Sequence, residues 1–335
     1  MSMDHILPAS AEKPDSQFLP GTSVQYAWDS TSLTNILSCP RRYKLSIIGG
    51  YVPRNPNFAI ALVFGILQHK GLEFYHVAKS KGATHDEAVR DACIRLAAEP
   101  ATATLPTDED IDQLKEAHDP DEDDGITLRN SRVRTRYYLF RAVVWYLEHY
   151  REDPAETIIL TSGKPAVELS FRVPIELDGV DHPIILCGHI DRGMKFNGSI
   201  YAGDYKTTKA ISRQFFDGFD LSHQMTGYTI ASSVIFDEPA RGAIIDGIAL
   251  QVGGVKFGRH VTTRSQGQVR EYFDLLKYAN QLAVSFYERD FYPMNTASCY
   301  FCDFKQLCRQ PPEYRDSYLK LNFEQKRGWN PLENR

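Results

Sequence analysis

Hydrophobic and polar positions repeat with recognisable periods along most of this 335-residue chain. Apolar residues recur three or four positions apart in five stretches, so we expect helices at residues 58–79, 82–98, 129–150, 213–236 and 266–289. Ser and Thr residues from position 32 can cap a short helix that Pro40 ends or bends. Residues 166–177 alternate, with Glu168 and Arg172 on one face, and residues 241–253 are also strand-like, so both stretches predict strands.

The stretch from residue 183 to 208 is the strongest local signal in the chain. It consists of two apolar-rich runs joined by Asn197-Gly198, a pair that tolerates the positive φ angles of a tight hairpin turn. A two-residue turn places Asp191 opposite Asp204, with the two side chains on the same face. Lys206 shares that face because strand side chains repeat every two residues. A bulge or a longer turn would change this register.

Two carboxylates and an ammonium group at this distance indicate a metal site. The carboxylates repel each other unless a cation binds between them, and oxygen ligands of this kind suit Mg²⁺ or Mn²⁺. A nearby lysine can orient a water molecule or stabilise charge on a phosphate oxygen. The alternative is an Asp–Asp–Lys cluster on a solvated surface.

Two helical pairs add candidate residues to this site. His69 and Glu73 lie four positions apart on one predicted helix face, so His69 either contacts Glu73 in the core or reaches the hairpin carboxylates. Gln224 and Tyr228 have the same spacing on a later helix. Their side chains either form part of an ordinary helix surface or bind phosphate and position water.

The composition is that of an ordinary soluble protein, with 42% hydrophobic and 24% charged residues. No apolar run approaches the roughly 20 residues of a membrane span, and the N-terminus lacks a signal-peptide pattern. We therefore expect a cytoplasmic protein, without membrane partners, whose cysteines stay reduced. The net charge of −5 argues against non-specific coating of nucleic acid but leaves local basic patches open.

Charged runs in two places suggest where nucleic acid could bind. Arg41, Arg42 and Lys44 follow the first short helix and either are solvated or meet phosphate. Residues 107–124 are strongly acidic and are followed by four arginines: Arg129, Arg132, Arg134 and Arg136. These arginines either contact phosphate or pair with the acidic run.

Three cysteines near the C-terminus have the spacing of metal ligands. Cys299, Cys302 and Cys308 are separated by two and five residues, which in a reducing compartment usually marks thiolate ligation. Cys39 is the natural fourth ligand, because Cys93 and Cys187 lie within a predicted helix and strand core. Four thiolates suit Zn²⁺ or an iron–sulfur cluster, and the spacing does not decide between them. Either group would close a loop of about 260 residues and join the ends of a large domain.

These motifs, taken in order, resemble the RecB-type branch of the PD-(D/E)xK nuclease superfamily. The matching residues are His69, the Gly188-x-x-Asp191 motif, Asp204-Tyr205-Lys206 and the Gln224-x3-Tyr228 pair. Iron–sulfur members of that branch carry one cysteine before the nuclease core and a C-x2-C-x5-C motif after it, as this chain does. They include phage recombination exonucleases, AddB-type helicase–nuclease subunits and CRISPR-adaptation nucleases. Asp204 stands where Glu is more common, a substitution that the family tolerates.

The resemblance implies a fold, a domain organisation and a role for each motif residue. The fold would be the restriction-endonuclease-like α/β core, a mixed sheet flanked by helices. Residues 26–310 would form the nuclease domain, with a flexible segment before it (1–25), a helical insertion at about 80–155 and a tail at 311–335. His69, Asp191, Asp204 and the Tyr205 carbonyl would bind the metal, Lys206 would position or activate water, and Gln224 and Tyr228 would orient substrate or Lys206. Cys39, Cys299, Cys302 and Cys308 would hold a structural [4Fe-4S] cluster.

The function that the resemblance implies is metal-dependent cleavage of DNA phosphodiesters. We expect an exonuclease that acts on DNA ends or single strands in recombination, replication or repair, in a prokaryotic or phage-infected cell, with recombination or replication proteins as partners. The candidate DNA contacts are Arg41, Arg42, Arg132 and Arg136. The alternatives are a CRISPR-adaptation nuclease that trims captured DNA, a non-cleaving iron–sulfur DNA-binding protein, and RNA as the substrate.

Overall fold

The computed structural model describes residues 15–54, 60–117, 132–326 and 329–333. By the density of internal contacts the chain divides into two units. The first unit contains residues up to Asn57, residues 170–189 and residues from Ser265 onward. The second unit contains residues 58–169 and 190–264. Neither unit is continuous in sequence, and two of the four boundaries between them fall inside strands.

The first unit is mainly helical, with strand segments that belong to the sheet described below. Its elements before residue 57 are β1 (Ala27–Trp28), α1 (Ser30–Ser38), α2 (Pro40–Tyr43), a π-helical turn (Lys44–Ile48) and β2 (Tyr51–Pro53). A capping box at Asp29 starts α1, and Pro40 separates α1 from α2 as predicted. The long helix that we call α9 (Gln266–Arg289) packs on α1 and confirms the predicted helix at 266–289.

The C-terminal part of the first unit consists of short elements. After a 3₁₀ turn (Thr296–Ser298) come α10 (Lys305–Arg309), α11 (Pro312–Asn322) and β9 (Phe323–Gln325). β9 pairs antiparallel with β2, so residues close to the two ends of the chain form a two-stranded sheet. A small core forms beneath this sheet, centred on Phe304, Leu307 and Phe323.

The second unit contains most of the predicted helices and the central hairpin. Its helices are α3 (Ile60–Ser80), α4 (His85–Ala98), a 3₁₀ turn (Pro100–Thr104), α5 (Asp108–Ala117), α6 (Arg136–His149), α7 (Arg213–Asp220) and α8 (His223–Ile235). The helices α3, α4 and α6 share one hydrophobic core. Gly71 of α3 allows this approach, because a Cβ there would lie only 3.0 Å from Val143 and 3.2 Å from Leu96.

The main sheet has seven strands and is of mixed type. The strands are β1, β3 (Glu156–Thr157), β4 (Val167–Ile175), β5 (Ile184–Phe196), β6 (Ser199–Thr208), β7 (Ala240–Gln251) and β8 (Gly254–Thr263). Their order is β1-β5-β6-β7-β8, and β3 and β4 also pair with β5. β6 and β7 are parallel, whereas the β5–β6 and β7–β8 pairs are antiparallel. Because helices flank this sheet, the predicted restriction-endonuclease-like fold is confirmed.

The hairpin has the predicted turn and register. Asn197 and Gly198 have φ angles of 48° and 74°, as a turn with two left-handed residues requires. Phe196 pairs with Ser199, and the pairing continues without a bulge to Arg192 and Gly203. One further step along this register brings Asp191 opposite Asp204. The sequence signal was strong here because a two-residue turn leaves one choice of register.

Three sequence predictions were wrong in part. The predicted helix at 213–236 is two helices, because the chain breaks at Leu221 and Ser222, where Arg264 donates hydrogen bonds to the Phe219 and Ser222 carbonyls. The predicted helix at 129–150 begins only at Arg136, after a Thr135 cap, and residues 129–131 lie outside the described residues. Glu168 has a φ of 47°, so strand alternation does not carry through it to Arg172.

Some expectations stay predictions. Residues 1–14 of the predicted flexible segment, and residues 118–124 of the acidic run, lie outside the described residues. Within the acidic run, the first residues open α5. None of the helices in the described ranges has the length and hydrophobicity of a membrane span.

Candidate active site

The hairpin strands place the predicted carboxylates close together inside the second unit. Asp191 is 7% exposed and Asp204 is 1% exposed. The Tyr205 amide donates a 2.9 Å hydrogen bond to Asp191 Oδ2, so the β6 backbone fixes the orientation of the β5 carboxylate. Lys206 Nζ lies 2.7 Å from Asp204 Oδ1, on the face that strand alternation predicted. The two carboxylates are therefore buried, and Lys206, whose side chain is 31% exposed, contacts Asp204 from the partly solvated side.

His69 reaches this cluster from α3. Its Nδ1 atom lies 3.4 Å from Asp191 Oδ1, and its Nε2 atom lies 2.9 Å from the Tyr205 carbonyl oxygen. Glu73 is not its partner, since the neighbours that influence Glu73 are Arg95, Lys70 and Glu99. Of the two roles that the sequence left open for His69, the structure has the one directed at the hairpin.

Glu168 also lies at the site, beside His69 and Asp191, and the sequence analysis did not predict it as a site residue. Its Oε1 atom lies 4.0 Å from His69 Nδ1, and His69, Glu168 and Asp191 each present one ligand atom within 4.8 Å of the others. The left-handed backbone at Glu168 departs from the strand alternation by which its direction was predicted. A strand pattern cannot show such a departure, so no sequence signal marked this residue.

The charges of the site shift the pKa values of its members. Burial lowers the pKa of His69, but the Asp191, Asp204 and Glu168 carboxylates raise it more, to about 9. Burial raises the pKa of Asp204, and the charge of Asp191 raises it further. Burial also raises the pKa of Asp191, yet His69 and Lys206 outweigh that effect and lower it. In the metal-free chain the imidazolium therefore offsets part of the carboxylate charge.

Lys206 remains a cation in this environment. Burial lowers its pKa, but Asp204 and Asp191 raise it more, so the net shift is upward. An ammonium group in this state donates hydrogen bonds and does not accept a proton. Its chemistry at the site is therefore that of a donor to water, carboxylate or phosphate oxygen.

The donor set fits a divalent cation. Asp204 Oδ2 is buried and has no hydrogen-bond partner among the described residues, which is costly unless another group binds it. Carboxylate oxygens, a backbone carbonyl oxygen and an imidazole nitrogen converge from Asp204, Asp191, Tyr205 and His69. Hard divalent ions such as Mg²⁺ and Mn²⁺ prefer oxygen-rich sets of this kind.

Buried polar contacts surround the Tyr205 side chain on the side away from Asp191. The Tyr205 hydroxyl lies 3.3 Å from His76 Nε2, and His76 Nδ1 lies 3.1 Å from Thr157 Oγ1. Arg192 Nε donates to Thr157 Oγ1 at 2.8 Å. The Tyr146 ring packs edge-on against the Tyr205 ring, with 5.6 Å between their centroids.

Ion pairs continue this network through the sheet. Arg192 Nη1 lies 3.3 Å from Asp153, which also accepts from Arg259 Nη1 at 2.6 Å. Arg259 binds Asp246 at the same time, through Nε at 2.6 Å and Nη2 at 2.8 Å. Asp246 is fully buried, accepts from the Tyr146 hydroxyl at 2.6 Å and pairs with Tyr205 in the β6–β7 register. The chain of contacts thus closes around Tyr205.

The Gln224–Tyr228 pair forms on α8 as its spacing predicted. Gln224 Nε2 donates a 2.9 Å hydrogen bond to the Tyr228 hydroxyl. The helix packs against β6 and β7, the strands that carry Asp204 and Asp246. The pair lies in the second unit, as do His69, Asp191, Asp204 and Lys206.

The candidate DNA-contact arginines have different surroundings. Arg136 donates to the carbonyl oxygens of Ala103 and Leu105, so its guanidinium already caps the 3₁₀ turn. Arg132 lies in the turn before α6. Arg41 and Arg42 lie on α2 in the first unit, directly after Cys39.

The four predicted thiol ligands all belong to the first unit. The Asn295 amide donates to Cys39 Sγ at 3.5 Å, and Cys299 Sγ donates to the Asn295 carbonyl at 3.6 Å. Asn295 Nδ2 and Ser298 Oγ both donate to the Ser38 carbonyl, at 2.7 and 3.0 Å. The chain's own hydrogen bonds thus connect the segment around Cys39 with the C-terminal cysteine motif.

The thiols of this set influence one another electrostatically. Burial raises the pKa of Cys308, while Arg41, which hydrogen-bonds its thiol, opposes the rise, and Cys302 and Cys39 add to it. Burial also raises the pKa of Cys302, against a hydrogen bond from the Phe304 amide. The two other cysteines are elsewhere, as predicted: Cys93 lies on α4 and Cys187 is buried in β5.

The comparisons with known proteins agree with this geometry. A family model described as "PD-(D/E)XK nuclease superfamily" matches residues 28–309. That range is most of the chain and includes the hairpin site and the cysteine motif, so the chain belongs to the PD-(D/E)XK nuclease superfamily. Nucleases of this superfamily use divalent metal ions such as Mg²⁺ or Mn²⁺.

The other comparisons add less. No curated protein matches the chain. A solved structure described as "Crystal structure of SSO0001" shares 11% sequence identity with it, covers 85% of this chain and 86% of its own, and has a TM-score of 0.34.

Proposed function

We propose that this protein is a metal-dependent DNA nuclease, an exonuclease that acts on DNA ends or single strands during recombination, replication or repair. The observation that carries the proposal is the convergence of Lys206 and His69 on the buried Asp191 and Asp204 within a chain of the nuclease superfamily. Recombination or replication proteins would be its partners. Residues 26–310 would form its nuclease domain.

Asp191, Asp204, His69 and the Tyr205 carbonyl would hold the metal ion, and Glu168 lies close enough to join them. When bound, a divalent ion supplies an activated water and neutralises developing charge on a phosphate oxygen. The β5–β6 hairpin presents these oxygens from paired strands, so their separation is fixed before metal binds. The unpartnered Asp204 oxygen supports this assignment most directly.

Lys206, as a cation, would position the attacking water or stabilise charge on the scissile phosphate. Gln224 and Tyr228 would orient the substrate or Lys206, and their mutual hydrogen bond fixes one amide donor relative to the phenol. An electrostatic contribution of this kind is typically worth 10²–10³-fold in rate for a single donor. The candidate DNA contacts remain Arg41, Arg42, Arg132 and Arg136. The Arg136 guanidinium already donates hydrogen bonds to two backbone carbonyl oxygens.

We also propose that Cys39, Cys299, Cys302 and Cys308 hold a [4Fe-4S] cluster with a structural role. Backbone amides of Asn295 and Phe304 donate to two of the sulfurs, which suits thiolate ligands. Zn²⁺ is the alternative, because four thiolates suit either group and the spacing of the motif does not decide between them.

The order of the motifs supports the RecB-type branch of the superfamily. It is compatible with a CRISPR-adaptation nuclease, which would require an integrase partner. A non-cleaving iron–sulfur DNA-binding protein would be expected to lack a residue of the metal site. No residue of the nuclease motif is missing from the sequence, which supports cleavage over binding alone.

The direct test is a cleavage assay on end-labelled DNA with an anaerobically purified protein. Single-stranded and duplex substrates are incubated with Mn²⁺, Mg²⁺ or EDTA, and the Lys206→Ala variant is assayed beside the wild type. We expect degradation that requires metal and falls at least 10²-fold in the variant. The product ladder distinguishes an exonuclease from an endonuclease and gives the polarity.

The matched control is Lys256→Ala, which removes a lysine from β8 and not from the site. We expect this variant to cleave like the wild type. DNA binding without cleavage in any metal would contradict the nuclease proposal and support the binding protein. Full activity in Lys206→Ala would show that the assigned site is wrong.

A further inference from the structure

Exposed hydrophobic side chains are concentrated around the cysteine motif. Of the 19 large hydrophobic residues exposed in the described chain, five fall between residues 291 and 314. They are Phe291, Met294, Tyr300, Phe301 and Tyr314. This is about three times the share expected for a segment of that length. A concentration of this kind marks an interaction surface more often than a single exposed residue does.

Two of these residues form what we call the aromatic tip, Tyr300 and Phe301. Tyr300 is 77% exposed and Phe301 is 91% exposed. Their rings are nearly perpendicular, at 89°, with 4.5 Å between the centroids. The tip lies between Cys299 and Cys302, so a ligand bound by the thiols would hold both of its ends. The tip lies outside the hydrophobic core, and most of the surface of both side chains is exposed.

Cationic groups accompany the tip. Lys305 Nζ lies 5.7 Å from the centre of the Tyr300 ring. Arg42 acts electrostatically on Cys302, and Arg41 hydrogen-bonds Cys308. The cysteine motif also contains one acidic residue, Asp303, which acts electrostatically on Cys302.

A cavity of about 270 Å³ borders the same cysteine motif at Cys308. Arg41, Lys44, Arg315 and Phe291 contribute to its lining. Two carboxylates are also present, and one of them, Asp290, is paired with Lys44 at 2.7 Å. The cavity thus combines an exposed aromatic ring with cations, as the tip does.

Aromatic faces interleaved with cations suit single-stranded nucleic acid. Cations meet the phosphates, and aromatic rings stack on bases whose faces are free. In a duplex the bases are already stacked on one another, so a protruding ring gains little there. A protein partner would not require the cations.

We propose that the aromatic tip and the basic cavity beside Cys308 form a binding track for single-stranded DNA, in which Tyr300 and Phe301 stack on bases. This inference rests on the proposed nuclease function, because it defines the substrate strand that the enzyme would hold. The cysteine motif would then have a second role besides its structural one, because a group that binds the thiols would fix the tip at a defined position.

The test measures DNA binding separately from cleavage. The Lys206→Ala protein is purified anaerobically, so that any group bound by the four cysteines is retained. It is titrated into fluorescein-labelled oligo-dT or into a labelled hairpin duplex, without added divalent ion. This protein is compared with a variant that carries Tyr300→Ala and Phe301→Ala in addition to Lys206→Ala. We expect the Kd for oligo-dT to rise at least tenfold and the Kd for the duplex to rise less than threefold.

The control is Leu321→Ala, which removes an equally exposed apolar residue from α11. We expect it to leave both Kd values unchanged. An unchanged Kd for oligo-dT in the double variant, or an equal loss for both substrates, would overturn the inference. So would a shift of sedimentation mass in the double variant, because it would show that the tip joins two copies of the chain.

A second variant tests stacking itself. Phe301→Trp keeps an aromatic ring, so we expect wild-type affinity and quenching of the new tryptophan's fluorescence by oligo-dT. An affinity like that of the double alanine variant, or no quenching, would contradict stacking. If wild-type protein binds oligo-dT through the tip but cleaves no DNA, the nuclease proposal fails and this inference stands. If the wild-type protein cleaves DNA and the double alanine variant binds oligo-dT with unchanged affinity, the nuclease proposal stands and this inference fails.

Discussion

The hairpin site and the cysteine set solve the same problem in opposite ways. Both gather groups that repel one another or lose solvation when they come together. At the hairpin, Lys206 and His69 compensate the carboxylates in the metal-free chain. At the cysteine set, the pKa values of Cys302 and Cys308 are raised by burial, so those thiols stay neutral.

The difference follows from what holds each site in place. Strand pairing and a buried ion-pair network fix the hairpin, so its geometry does not depend on a bound ion. Short turns and side-chain hydrogen bonds connect the segments that carry the thiols. We therefore expect the hairpin to lose function and keep its fold when it is altered, and the cysteine set to lose stability.

The largest effect is expected from Asp204→Asn at the hairpin. Cleavage should fall about 10³-fold, because the metal loses a charged ligand. The free energy of unfolding should stay the same or rise, since burial and Asp191 disfavour the Asp204 charge in the folded chain. Activity is measured on end-labelled DNA, and stability by thermal unfolding without divalent ion.

Asp217→Asn is the matched control, because Asp217 is an exposed carboxylate on α7. It should change neither quantity. Added Mn²⁺ should raise the melting temperature of wild type and of the control, but not that of Asp204→Asn. A large loss of stability in Asp204→Asn would show that the carboxylate serves the fold and would remove the contrast between the two regions.

The next effect is expected from Cys302→Ser in the cysteine set. Loss of the proposed cluster would reopen a loop of about 260 residues, and by analogy with a disulfide the free energy of unfolding should fall by roughly 5 kcal/mol. The brown colour of anaerobically purified protein should disappear with it. Cys93→Ser on α4 should keep the colour and most of the stability. An unchanged melting curve in Cys302→Ser would show that the thiols have no structural role.

The sequence predicted the hairpin site better than its surroundings, for a physical reason. Asp191, Asp204 and Lys206 lie within one hairpin, so turn chemistry and strand alternation were enough to place them. Glu168 departs from alternation through a left-handed backbone, which no periodicity reveals. The break between α7 and α8 depends on Arg264, which comes from over 40 residues away in sequence. Local patterns therefore predicted local contacts, and the long-range contacts required the fold.

A smaller effect is expected from Arg259→Met behind the hairpin. The substitution leaves Asp246 and Asp153 without their shared cation, and breaking a buried ion pair in this way costs about 3–5 kcal/mol. Urea denaturation measures the loss. Arg213→Met, which removes an exposed arginine paired with Asp217, should cost less than ~0.5 kcal/mol. A loss as small as the control's would mean that the network does not hold the hairpin.

The smallest effect is a pH dependence at His76. Burial lowers its pKa well below 6.5, and the charge of Arg192 lowers it further. Below pH 6.5 the unfolded chain therefore binds a proton that the folded chain does not. As the pH decreases below 6.5, the free energy of unfolding should therefore fall by up to about 1.4 kcal/mol per pH unit because of His76. His69 has the opposite effect, because its pKa is raised to about 9 and the folded chain holds the extra proton. Its contribution to the free energy of unfolding should fall as the pH rises from 6.5 to 9.

Urea titrations between pH 5 and 8, without divalent ion, measure this slope. His76→Gln should flatten it below pH 6.5, whereas His149→Gln, at the exposed end of α6, should leave it as in wild type. Equal slopes in wild type and His76→Gln would mean that His76 is protonated in the folded chain. The contacts around Tyr205 would then include a protonated His76 in addition to Arg192, and the comparison of the hairpin with the cysteine set would have to include the network behind the hairpin.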